Sequence, residues 1–419
     1  MRGILFSKSL QNSPPAWRFL GRLRARKHLC FRLVNKSIML INNWSEGAIM
    51  TSVRGDFGIL SRNERQLLSL IRRHGPLPRA VIAQHIGLSA QSVTNMTRKL
   101  IHGDLLDAGA VLRGKVGQPL TPLALSPEGA FFLGLKIGRR LVELALIDFT
   151  GRIRVHRQQV YTFPHPEHIL RFARRELTDI LARLPLRDRA RVMGLGIAIP
   201  GKLWDWGQDM APWQDVDLPA ILTPDLPFPV FTGNDATTAC AAQLVFGKQP
   251  LPRDFIHIYI AHFAGGGIVL DGALRHGPRH NAGALGSMPV SGGGQLLEQA
   301  SISVLERMVG KPLPPADSGW DIPLALELEW TQKSSKALAF VALSAVALVD
   351  LPLVVIDGAL PPATRARLAI ATRAALSAMP AAGIDRPDVI EGDLGRSARI
   401  LGAAALPLSH FFLPDGAMG

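Results

Sequence analysis

The chain has 419 residues and a formal net charge of +14, with 47 Lys and Arg, 33 Asp and Glu and only two cysteines. This length predicts two or three domains, and the widely separated Cys30 and Cys240 argue against a disulfide framework or a thiolate zinc site, as is typical of a reducing cytoplasm. The positive excess lies in residues 1–125, because residues 126–419 carry 28 residues of each sign, and it indicates a basic module joined to a different kind of domain.

Residues 1–49 form an arginine-rich extension with a single acidic residue. A targeting peptide and a disordered basic arm that adds non-specific DNA affinity would both have this composition. The first recognisable element begins only near Asp56, shortly after Met50, which favours a start codon assigned too far upstream. No fold is predicted for this extension.

A first helix is predicted over residues 61–74, because apolar side chains recur there at helical spacing and Gly75-Pro76 ends the run. Residues 75–100 then predict a helix, a tight turn at residues 87–89 and a second helix. Ser89 is placed to cap the second helix, since its hydroxyl can accept a free backbone N–H. The buried face of that helix is expected to hold Val93, Met96 and Leu100.

The opposite face of the second helix carries amides, hydroxyls and cations, which suit base edges and phosphates in a DNA major groove. An ordinary helical hairpin with a solvated face would show the same pattern, and the local positive charge favours DNA. The predicted DNA-contacting residues are Ser89, Gln91, Ser92, Asn95, Arg98 and Lys99.

A hairpin is predicted next, with strands at Leu105-Leu106 and Val111-Leu112. The glycine-containing turn that follows carries Arg113 and Lys115, which suit contact with the DNA backbone, although a plain surface hairpin is the alternative. Residues 50–125 are therefore predicted to be a winged helix-turn-helix DNA-binding domain.

From residue 126 onward, apolar strand-like segments alternate with helical segments, which predicts α/β layers. A turn is predicted at Gly265–Gly267, and such a turn can hold phosphate through backbone N–H groups. Asp350 and Pro352 interrupt the apolar run 337–356, which favours a buried helix followed by strand 353–356 over a membrane span. The other predicted strands cover residues 131–137, 141–148, 152–160, 192–199, 229–232, 255–261 and 268–270, and the helices cover residues 169–184 and 236–246.

Seven short motifs occur along the chain after the first helix. They are the helix pair with Gly117-Gln-Pro119, Leu133-Gly-Leu-Lys-Ile-Gly138, Gly194-Leu-Gly-Ile-Ala-Ile-Pro-Gly201, Gly233-Asn-Asp-Ala236, Ala264-Gly-Gly-Gly-Ile-Val-Leu-Asp-Gly272, Asn281-Ala-Gly-Ala-Leu-Gly-Ser-Met-Pro-Val290 and Leu297-Glu-Gln-Ala-Ser301. In this order the chain resembles the ROK family (repressors, open reading frames and kinases), and within it the winged-helix transcriptional regulators, over about residues 57–410. The resemblance implies a winged helix followed by a two-lobed, actin-like (ribonuclease H-like) ATPase-type domain with a sugar cleft. It implies a first lobe over residues 126–250 and a second over 251–419, whose C-terminal helices return to the first.

The resemblance also implies a first phosphate loop, where the family's kinases place an aspartate beside the magnesium ion and the phosphates. This chain has Lys136 there, and Arg139-Arg140 replace the family's Gly-Thr after Gly138. A cation at this position removes a site for Mg²⁺, which phosphoryl transfer needs. We therefore expect no kinase activity and no bound ATP or magnesium, although Gly265, Gly266 and Gly267 of the second loop are retained.

Asn234 and Asp235 match the sugar-contacting Asn and Asp of the family, and the Asp is the general base of the kinases. A carboxylate beside an amide suits vicinal sugar hydroxyls, although an Asn-Asp pair that merely caps the following helix is the alternative. Glu298 matches a second sugar ligand. Together with Gly201, these residues are the predicted effector site, in which Asp235 is a vestigial catalytic position.

Other positions depart from the family. Ala284 and Ser287 stand where sugar-binding members carry Glu and His, so a typical hexose is expected to bind poorly or the ligand to differ. The family's zinc motif supplies three cysteines before the position of Glu298, whereas residues 291–297 contain none. Two histidines upstream, His276 and His280, cannot complete a four-ligand site, so no zinc is expected.

These observations predict a sequence-specific transcriptional regulator, a repressor of carbohydrate-related genes, that binds operator DNA as a homodimer or homotetramer. A sugar or sugar derivative in the cleft would shift the lobes and change the spacing of two winged helices. The protein is expected in the bacterial cytoplasm with the nucleoid, without a membrane partner. A ROK sugar kinase with an appended DNA-binding domain and a ligand-independent regulator with a vestigial cleft remain alternatives.

Overall fold

The structure of the protein is a computed structural model. It describes residues 58–111, 120–206, 208–414 and 417. The extension of residues 1–49 lies outside this part of the chain, as do Arg113 and Lys115 of the predicted hairpin turn. The expectations for those residues therefore stay predictions.

Residues 58–125, here called the N-terminal subdomain, contain helices α1 (Arg62–His74), α2 (Arg79–Ile86) and α3 (Ala90–His102). Helix α1 begins with a reciprocal capping box, in which the Ser61 hydroxyl accepts the Glu64 backbone N–H and the Glu64 carboxylate accepts that of Ser61. The apolar faces of the three helices meet in one core. Its fully buried side chains include Leu67, Ile82, Val93 and Leu100.

The turn between α2 and α3 confirms the predicted helix pair. Gly87 ends α2 with a left-handed backbone (φ +67°), which glycine adopts without steric cost. The Ser89 hydroxyl then accepts the Ser92 backbone N–H at 3.2 Å and caps α3, as predicted. Met96 is only partly covered at the edge of the core.

A three-stranded sheet completes the subdomain. Its strands are β1 (Leu77–Pro78), β2 (Leu106–Ala108) and β3 (Pro122–Leu125), and β3 pairs antiparallel with both of the others. The strand predicted at Val111 is wrong: the partner of β2 is β3. Val111 is 55% exposed, whereas Leu123 of β3 is fully buried and supplies the apolar side chain that the core needs.

The first large sheet is built from β4 (Phe131–Ile137), β5 (Leu141–Asp148), β6 (Ile153–Val160), β7 (Val192–Ile199) and β8 (Val230–Asn234). Strands β4, β5 and β6 form an antiparallel meander, β7 runs parallel to β4, and β8 runs parallel to β7. Every residue of β4 and β5 is buried, which explains why these two strands were predicted with the bounds that they have.

The second large sheet is built from β9 (Phe255–Ile260), β10 (Gly265–Leu270), β11 (Ala273–Arg275), β12 (Leu353–Gly358) and β13 (Asp388–Glu391). Three antiparallel strands are again followed by two parallel ones, so its order, β11-β10-β9-β12-β13, repeats that of the first sheet, β6-β5-β4-β7-β8. The described chain therefore contains the same α/β topology twice.

Nine more helices occur in the described part of the chain. They are α4 (Pro166–Arg183), α5 (Leu186–Arg189), α6 (Leu218–Leu222), α7 (Asp235–Phe246), α8 (Leu297–Ala300), α9 (Ile302–Val309), α10 (Leu324–Val349), α11 (Pro362–Ser377) and α12 (Ala398–Phe412). By length and composition, α10 is the one described helix that could cross a membrane, but it buries Trp330 and Leu338 completely. It is the core helix predicted for this region.

The turn predicted at Gly265–Gly267 is wrong, because these glycines are the first residues of β10 and pair with β9. Helix α7 packs directly against them. A Cβ on Gly265 would lie 2.5 Å from the Cβ of Ala236, and one on Gly267 would lie 2.5 Å from that of Cys240. The glycines therefore permit close helix–strand packing.

Helix α12 lies against the first large sheet, although it follows the second in the chain. A Cβ on Gly134 of β4 would lie 2.6 Å from the Ile400 carbonyl oxygen, and one on Gly196 of β7 would lie 1.8 Å from that of Ala403. The α12 backbone thus packs directly against β4 and β7 at glycines, where the strands carry no side chain. This contact brings the start of α12 to the start of α7.

Candidate functional site

Asn234 and Asp235 lie where strand β8 runs into helix α7. The Asn234 side-chain oxygen accepts the backbone N–H groups of Ala236 and Thr237, both at 3.1 Å, and so caps α7. The capping alternative is thus correct for this oxygen. A Cβ on Gly201 would lie 3.1 Å from the Asn234 side-chain nitrogen, so the backbone at Gly201 borders the amide NH₂ group. Asn234 offers a ligand N–H donors rather than its capping oxygen.

Asp235 is held in an ion pair with Arg399 of α12. Its Oδ2 lies 3.0 Å from Arg399 Nη1, and the two side chains are only 14% and 12% exposed. The guanidinium also lies 5.4 Å from the ring centroid of Tyr259, within the range of a cation–π contact. Burial disfavours the arginine charge, but Tyr259 and Asp235 outweigh that effect and raise the pKa of Arg399. A ligand hydroxyl that approaches Asp235 therefore competes with a cation of the protein.

Lys136 of β4 faces Glu143 of β5 across the hairpin, with 2.8 Å between Nζ and Oε2 and side-chain exposures of 3% and 6%. His156 Nε2 lies 3.1 Å from the other carboxylate oxygen. Burial and the neighbouring Arg399 lower the pKa of Lys136 to about 8, against the attraction of Glu143. Burial raises the pKa of Glu143, but Lys136 and His156 outweigh it and hold that pKa well below its usual range. Both members of the pair are charged at pH 7.

The two ion pairs form one cluster, because Asp235 and Arg399 both act electrostatically on Lys136. Two cations and two carboxylates give the cluster no net charge. Mg²⁺ takes oxygen ligands, and both carboxylates here already have cationic partners of the protein. The cluster is therefore electrically balanced by its own side chains.

The hairpin between β4 and β5 also reaches the half of the domain that contains the second sheet. The Tyr161 hydroxyl donates to the Gly138 carbonyl oxygen, and the Arg140 guanidinium pairs with Glu306 of α9. Glu306 lies 3.5 Å from His262 Nδ1 and accepts a backbone N–H at 2.9 Å. Burial opposes its charge, but His262, that N–H and Arg140 lower the pKa of Glu306 to about 2. The hairpin thus joins the two halves through Arg140.

Glu298 is exposed in the short helix α8, and its Oε2 accepts the Gln295 backbone N–H at 2.9 Å. In the described part of the chain, no hydrogen bond or ion pair joins Glu298 to Asn234 or Asp235. Ala284 and Ser287 are both exposed. The structure therefore brings Asn234, Asp235 and Gly201 together and leaves the place of Glu298 in the site a prediction.

The expected lack of a zinc site also stays a prediction. The rings of His276 and His280 have centroids 6.0 Å apart. In the described part of the chain, no three side chains of His, Cys, Asp or Glu are grouped as metal ligands would be.

A second candidate surface is the polar face predicted on α3. The Gln91 side chain donates to Asn95 Oδ1 at 3.2 Å, and the Arg79 guanidinium of α2 donates to the buried Thr97 hydroxyl at 2.9 Å. These contacts order the face and attach α2 to α3. Its exposed side chains are Ser89, Gln91, Ser92, Asn95, Arg98 and Lys99.

Lys99 has a partner that the sequence did not predict. Its Nζ lies 2.8 Å from the nearly buried carboxylate of Glu64 in α1. Burial raises the pKa of Glu64, but hydrogen bonds from Lys99 and Ser61 lower it below its ordinary value. Lys99 therefore holds α1 and α3 together, whereas Arg98 beside it is exposed.

Glu143, Tyr259, Glu306 and Arg399 were absent from the predicted site. Glu143 could have been found, because unlike charges that face each other across a predicted hairpin form a recognisable pair. Arg399 and Glu306 could not, since they follow their partners by 164 and 166 residues. No local pattern marks such pairs.

Residues 132–302 match the model of the ROK family. A protein described as uncharacterized protein y4fQ, from Sinorhizobium fredii, is 25% identical over 84% of this chain and 92% of its own length. The xylose repressor of Bacillus subtilis is 22% identical over 54% of this chain, and the DNA-binding transcriptional repressor Mlc of Escherichia coli is 24% identical over 52%. The matches span 60% and 55% of these two repressors, so what they do as whole proteins reaches this chain only as a proposal.

Two solved structures show the same fold. A ROK family transcriptional regulator, described as a homolog of the E. coli MLC protein, superposes with a TM-score of 0.61 and 21% identity over 85% of this chain and 96% of its own. A ROK family glucokinase from Streptomyces griseus, in complex with glucose and AMPPNP, superposes with a TM-score of 0.53 and 19% identity over 66% of this chain and 99% of its own. With the duplicated sheet topology and the family match, these findings identify residues 132–302 as a ROK family domain.

Proposed function

We propose that the protein is a sequence-specific transcriptional regulator, a repressor of carbohydrate-related genes, whose N-terminal subdomain is a winged helix-turn-helix. The observation that carries this proposal is the exposed polar face of α3, on a capped helix pair joined to a ROK family domain. A helix of this kind enters the major groove with its N-terminal side chains. The relatives named as repressors support this reading, and Arg113 and Lys115 would contact the DNA backbone beside it.

The proposed effector is a sugar or sugar derivative that meets the Asn234 amide, the Asp235 carboxylate and the backbone at Gly201, with Glu298 as a further ligand. A vicinal diol can accept from the amide and donate to the carboxylate at once. Because Arg399 already holds Asp235, a bound hydroxyl displaces or shares that cation. The proposed assembly is a cytoplasmic homodimer or homotetramer, whose two-fold symmetry would match paired operator half-sites.

A ligand-independent regulator is the second candidate, and the Asp235–Arg399 pair favours it, because the carboxylate is satisfied without a ligand. Thermal stability with a panel of sugars separates the two, since a ligand that binds only the native state raises Tm. A rise in Tm that is lost in Asp235→Asn supports the effector site. No rise with any sugar supports the second candidate.

A ROK sugar kinase with an appended DNA-binding domain is the third candidate. It would have to use ATP and magnesium despite the paired charges at Lys136 and Asp235. A coupled ADP-release assay with the same panel tests it, and sustained sugar-dependent turnover would establish it.

The DNA-binding proposal is tested by fluorescence anisotropy with the full chain and DNA from upstream of its own gene. Asn95→Ala and Arg98→Ala each remove a side chain from the proposed reading face, and each is expected to weaken specific binding by about 5- to 100-fold. The matched control is Arg171→Ala, which removes the same charge from an exposed position on α4 and should leave affinity unchanged.

The same titration is run against a scrambled duplex at two salt concentrations. Parent-like operator affinity in both α3 variants would refute the assignment of the reading helix. Equal and steeply salt-sensitive binding to both duplexes would show only non-specific attachment of a basic module.

A further inference from the structure

Helices α7 and α12 run side by side in the same direction. Asp235 is the first residue of α7 and Arg399 the second of α12, so their ion pair joins the two N-terminal ends. One turn further on, a Cβ on Gly402 would lie 1.9 Å from the Thr238 carbonyl oxygen. Backbones this close cannot slide independently, because packed interiors resist small displacements. The two helices therefore form one rigid unit, here called the helix pair.

The other ends of the helix pair meet at the turn between β5 and β6. The Phe149 ring, in the turn between β5 and β6, lies 4.8 Å from the Phe412 ring at the end of α12. Phe246, the last residue of α7, packs on the same turn, because a Cβ on Gly151 would lie 2.4 Å from its ring. With α7 spanning 12 residues, the helix pair joins Asp235 to this aromatic cluster over about 18 Å.

Among the described residues, Arg72 of the N-terminal subdomain contacts the aromatic cluster. The Arg72 guanidinium of α1 lies 5.0 Å from the Phe149 ring centroid and 5.9 Å from that of Phe246. Its Nη1 is buried, with no hydrogen-bond partner among the described residues. Burial lowers the pKa of Arg72 to about 10, and the attraction of the buried Asp148 opposes that change. Arg72 is thus held by ring faces and a distant carboxylate rather than by a direct ion pair.

Asp104 provides another attachment of the subdomain, in addition to the core that it shares with the first large sheet and the Arg65 hydrogen bond to the Leu413 carbonyl oxygen. Asp104, just after α3, accepts hydrogen bonds from Arg191 at 2.6 Å and from Arg187 at 2.9 Å. Arg191 is nearly buried and immediately precedes β7 in the first large sheet. This attachment is fixed to the sheet, whereas Arg72 lies over both Phe149, in a turn of that sheet, and Phe246, at the end of α7. A displacement of Phe246 relative to that turn would therefore move Arg72 while the Asp104 contact stays in place.

We propose that the helix pair carries effector binding from Asp235 to the N-terminal subdomain through Arg72. The inference rests on the proposed function in one respect, since it takes Asp235 as the effector position. A ligand that draws Asp235 away from Arg399 loosens the N-terminal ends of the helix pair. The end of α7 at Phe246 then shifts under Arg72, and the orientation of α3 changes with the subdomain.

The test uses hydrogen–deuterium exchange on the full chain and needs neither DNA nor ligand. Asp235→Asn removes the charge at one end, and exchange is read in peptides that cover α1. We expect α1 to exchange about fivefold faster in Asp235→Asn than in the parent. In protein that also carries Arg72→Met, we expect Asp235→Asn to leave α1 exchange unchanged, as coupled positions behave in a double-mutant cycle. The controls are Asp225→Asn, which breaks an exposed ion pair elsewhere, and Arg73→Met, the exposed neighbour of Arg72.

Unchanged α1 exchange in Asp235→Asn overturns the proposal. If Asp235→Asn raises α1 exchange equally in the parent and in Arg72→Met, the route through Arg72 is overturned. If the circular dichroism spectrum or Tm of Arg72→Met differs from that of the parent, Phe246→Leu is used in its place. The same two outcomes then overturn the proposal. If the parent protein does not bind operator DNA, the proposed function is refuted, but the exchange result still stands. Failure of the proposed function and failure of this inference are therefore distinguishable.

Discussion

The buried pair of Lys136 and Glu143 makes the sharpest energetic prediction. Both side chains are more than nine-tenths buried, and the carboxylate has His156 as its one further described partner. Lys136→Met removes the cation and leaves the buried Glu143 carboxylate without its ion-pair partner. Removing one partner of a buried ion pair costs about 3–5 kcal/mol, because the remaining charge keeps its desolvation penalty without compensation.

The double substitution separates this cause from simple loss of packing. Lys136→Met with Glu143→Gln removes both charges and keeps the side-chain volumes, so we expect it to recover all but about 1 kcal/mol of the loss. The control is Lys333→Met, which breaks a Lys–Glu pair one turn apart on exposed faces of α10 and should cost less than about 0.5 kcal/mol.

The assay is urea unfolding at pH 7, followed by circular dichroism, with free energies from linear extrapolation. The reasoning is refuted if Lys136→Met costs less than about 1 kcal/mol, or if the double variant is no more stable than the single one. Either result would mean that water or another group already neutralises Glu143 in the folded protein.

Two further predictions concern packing and pH. Gly402→Ala should lower the free energy of unfolding by about 3 kcal/mol or more, because the added Cβ would meet the Thr238 backbone. Gly383→Ala should lower it by only about 1 kcal/mol, because Gly383 has a positive φ but open space around it. Equal losses for the two variants in denaturant unfolding would contradict this reasoning. The pKa of the Glu306 carboxyl is lowered from 4.5 to about 2 in the folded protein. Its ionisation therefore contributes up to about 3 kcal/mol to the free energy of unfolding. This contribution is complete above about pH 4.5 and is lost as the pH falls towards 2. The difference in unfolding free energy between the parent and Glu306→Gln should therefore shrink over that interval, and a difference that stays constant would exclude this origin.

The chemistry of the candidate site follows from where its charges are compensated. Lys136 pairs with a carboxylate of its own hairpin, and Arg140 pairs with Glu306 across the domain. Asp235 pairs with Arg399 in the same way. Each of these charges is thus balanced by a partner inside the protein.

Local features of the chain were predictable from the sequence alone. The bounds of β4, β5 and β7 match their predictions, because each is a mostly apolar run that stays buried, with the charges of Lys136 and Glu143 paired between β4 and β5. The Ser89 cap was predictable because a cap involves residues within one turn of each other. The charge asymmetry and the order of the glycine-containing motifs, too, are properties of the sequence itself.

Contacts between distant residues were decided only by the tertiary structure. Asp235 was identified, but not its partner Arg399, because an ion pair across 164 residues exists only after α12 has returned to the first sheet. Gly265–Gly267 have the composition of a turn, yet they form a strand, since α7 packs where side chains would otherwise stand. Sequence patterns report what a segment does with its own neighbours, whereas charge compensation and close backbone packing depend on which distant segment lies against it.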